Sequence, residues 1–177
     1  MRWLIAMIIS LTALSAGAQS SESDRMTYTA LQSRISALRA AQASAYHVAK
    51  AQCWLDASWH EHARNDRSAF PREAREQAAQ LVDSLEQGTL SQSMPLPADA
   101  PLIDGAERVR PDLWNAIAAL RQSPGAICAA AKTACAEVKL VHAGHEHRQL
   151  GWRHARPYVE VAADWVAEAQ QAASQCK

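Results

Sequence analysis

The sequence predicts an all-α protein, a bundle of about six helices. About one residue in five is Ala, and the abundance of Ala, Gln and Glu over β-branched residues favours helices over strands. Apolar residues recur at spacings of three and four along most of the chain, which is the period of a helix. A hydrophobic content of 49% with 20% charged residues is typical of a packed domain rather than a disordered chain.

The charge balance argues against one class of function. The 18 Lys and Arg residues match the 18 Asp and Glu residues, so the chain lacks the positive excess with which proteins bind phosphate backbones. We therefore expect no nucleic-acid partner.

Residues 1–18 have the pattern of a secretory signal peptide. Arg2 precedes an apolar run over residues 3–14, and Ala16-Gly17-Ala18 supplies the small residues of a cleavage site. The apolar run is shorter than the ~20 residues that cross a bilayer, although retention as an N-terminal anchor is an alternative. We expect cleavage after this motif and a periplasmic or secreted mature chain. Residues 19–177 then form a single all-α domain without a transmembrane span.

Three helices are expected in the first half of the chain, each with apolar residues at helical spacing. Their predicted ranges are 26–41, 44–64 and 68–88. Ser44 and Ser68 are the expected N-caps of the second and third helices. Pro71 is compatible with the first turn of the third helix, where a backbone N–H is not needed.

A Pro-rich connection is predicted over residues 88–110, which contain Pro95, Pro97 and Pro101. Three further helices follow, and their boundaries are marked by Pro and Gly. They are expected from Pro111 to the break at Ser123-Pro124-Gly125, from Ala129 to Leu150, and from Pro157 onward.

The chain contains a possible internal repeat. His60-Glu61-His62 recurs as His145-Glu146-His147, in each case near the end of a long helix that precedes a Pro-containing helix. We interpret this as two copies of a helical hairpin, similar in plan to tetratricopeptide-type (TPR-like) pairs. Chance agreement between two Ala-rich helices is the alternative.

The four cysteines predict disulfides, because the chain is expected to be exported to an oxidising compartment. Cys128 and Cys135 are ~10.5 Å apart if they lie in one helix, so they pair only if Cys128 lies in the preceding loop. An antiparallel hairpin of the last two helices instead places Cys176 opposite Cys128. Both pairings remain open, and Cys53 is expected to be a buried free thiol. A zinc cluster is less favoured, since the sequence contains no C-x-x-C pair.

The histidines raise an alternative function, the binding of zinc, copper or nickel in the periplasm. His142, His145 and Glu146 share one face of the fifth helix because they lie three and four residues apart. Imidazole and carboxylate groups are ligands that these metals accept. The H-E-x-x-H signature of metalloproteases is absent. The favoured interpretation therefore has no cofactor, with solvated histidines at the helix ends.

No catalytic residues are assigned from the sequence. It contains no G-x-S-x-G elbow, no phosphate-binding glycine loop and no dinucleotide fingerprint. We therefore expect a non-enzymatic protein. A hydrolase with an unrecognised site around Glu61 or Glu146 is the least favoured alternative.

Four segments carry a resemblance to a known family: A-K-A-Q-C-W-L-D (49–56), N-D-R-S-A-F-P (65–71), C-A-E-V-K-L-V-H-A-G-H-E-H (135–147) and G-W-R-H-A-R-P-Y (151–158). They are similar to the N-terminal helical region of OmpA-family envelope proteins of Gram-negative bacteria. In those proteins this region precedes a peptidoglycan-binding domain, which we expect to be absent here. The resemblance implies an envelope-associated helical module, and it also implies a local Cys128–Cys135 bridge, so neither pairing is preferred.

The leading functional hypothesis is a periplasmic or envelope-associated helical module. It acts through protein–protein contacts with an envelope protein that the sequence does not identify. Tandem helical hairpins offer concave surfaces for such partners. The residues predicted for this surface lie near the ends of the repeated helices: Trp59, Glu61, Glu146, Trp152 and Arg153.

Overall fold

The computed structural model describes residues 24–90 and 99–176. Within these residues it contains six α-helices, one short 3₁₀-helix and no β-strand, which confirms the all-α prediction. The α-helices are α1 (24–40), α2 (Ala45–Ala63), α3 (Phe70–Glu86), α4 (Pro111–Gln122), α5 (Ala126–Leu150) and α6 (Trp152–Ser174). The predicted signal peptide and its cleavage motif lie outside the described residues. In the described part of the chain, no helix has the length and apolar character needed to cross a membrane.

The first three helices lie close to their predicted positions. The two serines that were expected as N-caps make different contacts in the structure. Ser44 precedes α2, yet its side chain does not cap the helix, because Ser44 Oγ lies 2.8 Å from Nδ1 of His47. Ahead of α3, Ser68 Oγ accepts a hydrogen bond from the backbone N–H of Phe70 at 3.1 Å. Pro71 lies in the first turn of α3, as predicted.

Helices α5 and α6 both begin earlier than the sequence predicts. Helix α5 begins at Ala126, and α6 begins at Trp152 with Pro157 in its interior. Gly151 alone connects the two helices, at a φ of +80° that glycine adopts without a steric penalty. Ala155, in the turn before Pro157, is fully buried. The other residues of that turn, Arg153, His154 and Arg156, are exposed.

Helices α2 and α5 lie side by side and run in the same direction. Lys50 near the start of α2 contacts Glu137 at 2.7 Å, and Arg64 just after its end contacts Glu146 at 2.7 Å. Helix α3 folds back on α2, and α6 folds back on α5. Helix α1 packs against α2 and α3, where Tyr28 contacts Ser58, and α4 packs against α5 and α6.

A continuous hydrophobic core joins all six helices. The burial of each large apolar side chain contributes roughly 1.5–3 kcal/mol, so these contacts dominate the stability of the bundle. The largest fully buried apolar side chains of this core are Trp54, Trp114, Phe70, Ile35, Ile117 and Leu140.

Two disulfides link the helices. Cys128–Cys176 ties the start of α5 to the end of α6 with a Cα–Cα distance of 5.8 Å, which is one of the two pairings that the sequence left open. Cys53–Cys135 joins α2 to α5 with a Cα–Cα distance of 5.4 Å. The Cys128–Cys135 alternative was wrong because both residues lie in one continuous helix. The free thiol at Cys53 was also wrong, since the packing of α2 on α5 places it opposite Cys135. Two disulfides are typical of a non-reducing compartment.

The segment before α4 crosses directly over α5. The backbone N–H of Glu107 donates a hydrogen bond to the carbonyl oxygen of Gly144 at 3.2 Å. A Cβ atom at Gly144 would lie 1.9 Å from the carbonyl oxygen of Glu107. Glycine is therefore required at this position by the close approach of two backbones.

Substitution of Gly144 tests this crossing. In an isolated helix, Gly→Ala stabilises by about 1 kcal/mol, but at Gly144 the added methyl group must displace the backbone of Glu107. We expect Gly144→Ala to lower the free energy of unfolding by about 1–3 kcal/mol, as overpacking does, measured by urea denaturation. Gly88→Ala is the control: a Cβ there meets no atom within 4 Å, and the cost is limited to its φ of +65°. A Gly144→Ala protein that is as stable as wild type would contradict the crossing.

Peptide mapping tests the disulfide pairing. Trypsin digestion without reduction should yield peptide 51–64 linked to peptide 133–139, and peptide 122–132 linked to peptide 154–177. Loss of either bridge, by Cys→Ala substitution at both partners, should cost about 2–4 kcal/mol of stability, because the closed loops are long. The rejected pairing has a different signature, a link between peptides 122–132 and 133–139.

Candidate functional site

A group of buried polar side chains lies where the C-terminal ends of α2 and α5 meet α6. We call it the His–Glu cluster. Glu61 and Glu146 are each only 2% exposed and His142 is 1% exposed, so three groups that usually face water lie in the interior. The members of the cluster are His60, Glu61, Arg64, His142, Glu146 and Tyr158.

Two imidazoles converge on one carboxylate oxygen in this cluster. Oε1 of Glu61 lies 2.6 Å from Nε2 of His142 and 3.6 Å from Nε2 of His60. One ligand atom from each of these three residues lies within 4.8 Å of the other two. His60 Nε2 also lies 2.9 Å from the hydroxyl oxygen of Tyr158. The arrangement thus brings two nitrogen ligands and one oxygen ligand to a common point.

Arg64 supplies the positive charge of the cluster from its solvent side. Its Nη1 lies 2.7 Å from Oε1 of Glu146, 3.3 Å from Oε1 of Glu61 and 3.1 Å from the hydroxyl of Tyr158. The Arg64 side chain is 42% exposed, whereas the two carboxylates are buried. One partly exposed guanidinium therefore bridges two interior carboxylates.

His145 belongs to a neighbouring set of contacts. Its Nε2 lies 3.0 Å from Oδ2 of Asp66, and its Nδ1 lies 3.3 Å from Oδ2 of Asp104 without the alignment of a hydrogen bond. Phe70 stacks on the rings of both His145 and His142, with centroids 4.1 and 5.3 Å apart. The start of α3 thus fixes the orientation of both imidazoles.

Burial changes the proton affinity of two members of the cluster. Removal of water lowers the pKa of His142 well below its usual range, and the charge of Lys139 adds to this effect. Burial also raises the pKa of Tyr158 to about 12, assisted by the carboxylates of Glu146 and Glu61. Around neutral pH the cluster therefore contains a neutral imidazole at His142 and a neutral phenol at Tyr158.

The structure corrects three sequence-based assignments in this region. Glu61 and Glu146 lie in the interior and do not contribute to a contact surface. His142 and His145 are buried rather than solvated, because α2 and α3 cover the end of α5. The predicted metal trio His142, His145 and Glu146 is not brought together: among the described residues, His142 is grouped with His60 and Glu61, and His145 is grouped with Glu61 and Asp66.

A second buried polar group, which the sequence did not predict, lies near the start of α2 and the middle of α5. Glu137 is fully buried and accepts hydrogen bonds from Lys50 at 2.7 Å, from Arg121 at 3.2 Å and from the hydroxyl of Tyr46. Its second oxygen also accepts from the backbone N–H of Ala100 at 3.0 Å. The sequence contains one signal of this burial. Both Lys50 and Glu137 lie among small and apolar residues, in helices that are apolar on several faces.

The remaining residues of the predicted surface are exposed. Trp59 is 44% exposed and Trp152 is 46% exposed, and Arg153 is exposed beside Trp152. Trp59 makes an edge contact with Tyr28 at 4.9 Å between ring centroids, whereas Trp152 contacts His147 at 6.0 Å. The two tryptophans therefore have different surroundings, one beside α1 and the other at the α5–α6 turn.

Trp59 lies in a groove between α1 and α2, which we call the aromatic groove. Its volume is about 340 Å³. Tyr28, Leu55 and Trp59 supply its apolar surface, and polar groups surround it. The polar and charged residues that line it are Arg25, Thr29, Gln32 and Asp56.

Comparisons with protein-family models, with curated proteins and with solved structures find no match for this chain.

The pH dependence of stability tests the buried polar group at Glu137. His47 is buried beside it, and burial together with the charge of Lys50 lowers the pKa of His47 below 6.5. Such a histidine contributes stability that is fully present above its unfolded pKa and is lost as the pH falls towards its folded pKa. We expect urea unfolding of the wild-type protein to become easier from about pH 7 to about pH 5.

His47→Asn should reduce this dependence, because asparagine keeps a polar group near Ser44 Oγ but takes up no proton. Part of the dependence should remain, because burial also lowers the pKa of His142. His154→Asn removes an exposed histidine and is the matched control, with an unchanged pH profile. Equal slopes for wild type and His47→Asn would show that His47 takes no part in the pH dependence.

Proposed function

We propose that this protein is a helical module of the bacterial cell envelope that acts by binding another protein through the aromatic groove. The observation that carries the proposal is the partial exposure of Trp59 in a groove with Tyr28. A tryptophan that is 44% exposed beside a buried tyrosine offers a partner a large apolar area at low entropic cost.

The composition of the aromatic groove fits an apolar side chain of a protein partner surrounded by polar contacts. Trp59, Tyr28 and Leu55 form an apolar centre, while Arg25 and Asp56 supply charges of both signs at the groove. Energetic hot spots of protein interfaces have this arrangement of a central aromatic residue within a polar rim. A rigid base also favours binding, and α2 is held to α5 by Cys53–Cys135.

The envelope location is part of the proposal. The signal-peptide pattern of residues 1–18 and the similarity to the N-terminal helical region of OmpA-family proteins support it. The two disulfides are compatible with an oxidising periplasm.

A TPR-like duplication is also part of the proposal. The pairs α2–α3 and α5–α6 are hairpins of similar plan, and the first helix of each pair carries His-Glu-His near its end.

Site-specific crosslinking in cells tests the binding function. A photoreactive benzoylphenylalanine at Thr29, beside the aromatic groove, should crosslink to one discrete envelope protein. Trp59→Ala in the same chain should reduce this product at least about fivefold, which corresponds to the loss of a contact worth about 1 kcal/mol. The readout is the yield of the crosslinked band and its identity by mass spectrometry.

Exposed Gln170 on α6 provides the matched control for the position of the photoreactive group. It should give none of the product obtained at Thr29. Trp152→Ala controls for loss of an exposed tryptophan and should leave the Thr29 product unchanged. The proposal fails if Gln170 yields the same product as Thr29, or if Trp59→Ala has no effect.

A further inference from the structure

The His–Glu cluster brings three potential metal ligands together in its present contacts. His60, Glu61 and His142 each offer one ligand atom, and these atoms lie within 4.8 Å of one another. Beside them, Oε2 of Glu146 is buried and has no hydrogen-bond partner, and neither has Nδ1 of His142. Buried polar atoms without a partner are costly in a folded protein, so these two atoms favour a further polar or charged group in the cluster, and neither is a ligand in the site proposed below.

The charges of the cluster point to the same conclusion. Two interior carboxylates, Glu61 and Glu146, share a single guanidinium from Arg64. A buried charge is stable only when it is fully compensated. Arg64 is also 42% exposed, so its side chain can move into solvent without disturbing the core.

We propose that the His–Glu cluster is a binding site for a divalent transition-metal ion, Zn²⁺ or Cu²⁺, with His60, Glu61 and His142 as ligands. The ion takes the place of the Arg64 guanidinium, and Arg64 swings outward when the metal enters. Two imidazoles and one carboxylate are a donor set that these ions prefer over Mg²⁺ or Ca²⁺. The site goes beyond the protein-binding function and does not depend on it.

Small movements convert the cluster into a coordination site. Ligands at about 2.1 Å from a tetrahedral ion are about 3.4 Å apart. Glu61 Oε1 lies 3.6 Å from His60 Nε2, close to this value, and 2.6 Å from His142 Nε2. The second pair must therefore open by less than one ångström, and His60 Nε2 must give up its 2.9 Å contact with the Tyr158 hydroxyl. Metal–ligand bonds replace both hydrogen bonds.

The surroundings of His142 can accommodate the tautomer that coordination needs. When Nε2 binds a metal, the proton resides on Nδ1, which usually donates to a carboxylate or a water molecule. His142 lines a cavity of about 80 Å³ together with Asp56 and Lys139. This volume is sufficient for a water molecule, so the cavity offers space for such a partner.

A second candidate set, Glu61 with Asp66 and His145, fits a transition metal less well. It contains one imidazole instead of two. Asp66 is already engaged, because Oδ1 accepts from the backbone N–H of Ser68 at 2.9 Å and Oδ2 accepts from the Ser68 hydroxyl at 2.8 Å. Metal binding there would sacrifice the hydrogen bonds that shape the turn before α3.

Titration of the full, oxidised chain with ZnCl₂ and CuCl₂, without an affinity tag, tests the proposal. Calorimetry should show one ion per chain for at least one of the two metals, with a dissociation constant below about 10 µM. His60→Ala should weaken this binding at least about tenfold. The His60 side chain is 48% exposed, so its removal should leave the fold intact, as circular dichroism will show. His62→Ala, two positions along the same helix, is the matched control and should bind as wild type does.

Arg64→Gln gives a readout that a structural role for the cluster would not produce. The variant should be less stable without metal, because two carboxylates lose their common cation. It should bind metal more tightly than wild type, and the metal should raise its Tm by more than it raises that of wild type.

Three outcomes would overturn the metal site. They are the absence of binding tighter than about 10 µM for either metal, wild-type affinity in His60→Ala, and an equal loss of affinity in His62→Ala. Wild-type affinity in His60→Ala with loss in Asp66→Asn would place the ion at the second set instead. The crosslinking result at the aromatic groove is independent of all these outcomes.

Discussion

The structure depends on one constraint: α2 and α5 pack together although both carry charged residues on the faces that they bury. A buried charge without a partner costs several kcal/mol, so each must meet its counterpart across the interface. Lys50 meets Glu137 at one end and Arg64 meets Glu146 at the other, and Cys53–Cys135 lies close to the first pair. These three contacts hold only in one register, which makes the interface specific as well as stable.

This register also determines where the His–Glu cluster forms. Because α2 and α5 run in the same direction, their His-Glu-His segments reach the same end of the bundle and bring two imidazoles to Glu61. Phe70 at the start of α3 stacks on His142 and His145 and fixes their rings. The aromatic groove lies on another side of α2, facing α1. Helix α2 thus contributes some residues to the buried His–Glu cluster and other residues to the aromatic groove at the surface.

Local signals in the sequence predicted the helices but not every boundary. Pro71 and Pro111 open helices as predicted, since a proline in the first turn lacks only a hydrogen bond that is not needed there. Pro157 misled because it lies inside α6, which begins five residues earlier at Trp152. The pairing of Cys128 with Cys176 was one of two that the sequence left open, and hairpin geometry within one pair of helices allowed it. The pairing of Cys53 with Cys135 required the contact between two hairpins, which periodicity does not encode.

The sequence by itself determined the all-α class, the helical ranges to within a few residues, and the unusual concentration of His and Glu near two helix ends. It did so because these properties depend on neighbours along the chain. The tertiary structure alone decided that Glu61, Glu146, His142 and His145 are buried and which partners they meet. The physical reason is that burial depends on which faces of distant helices come together. Residues such as Glu61 and Trp59 stand two positions apart in α2, yet one faces the interior and the other faces solvent.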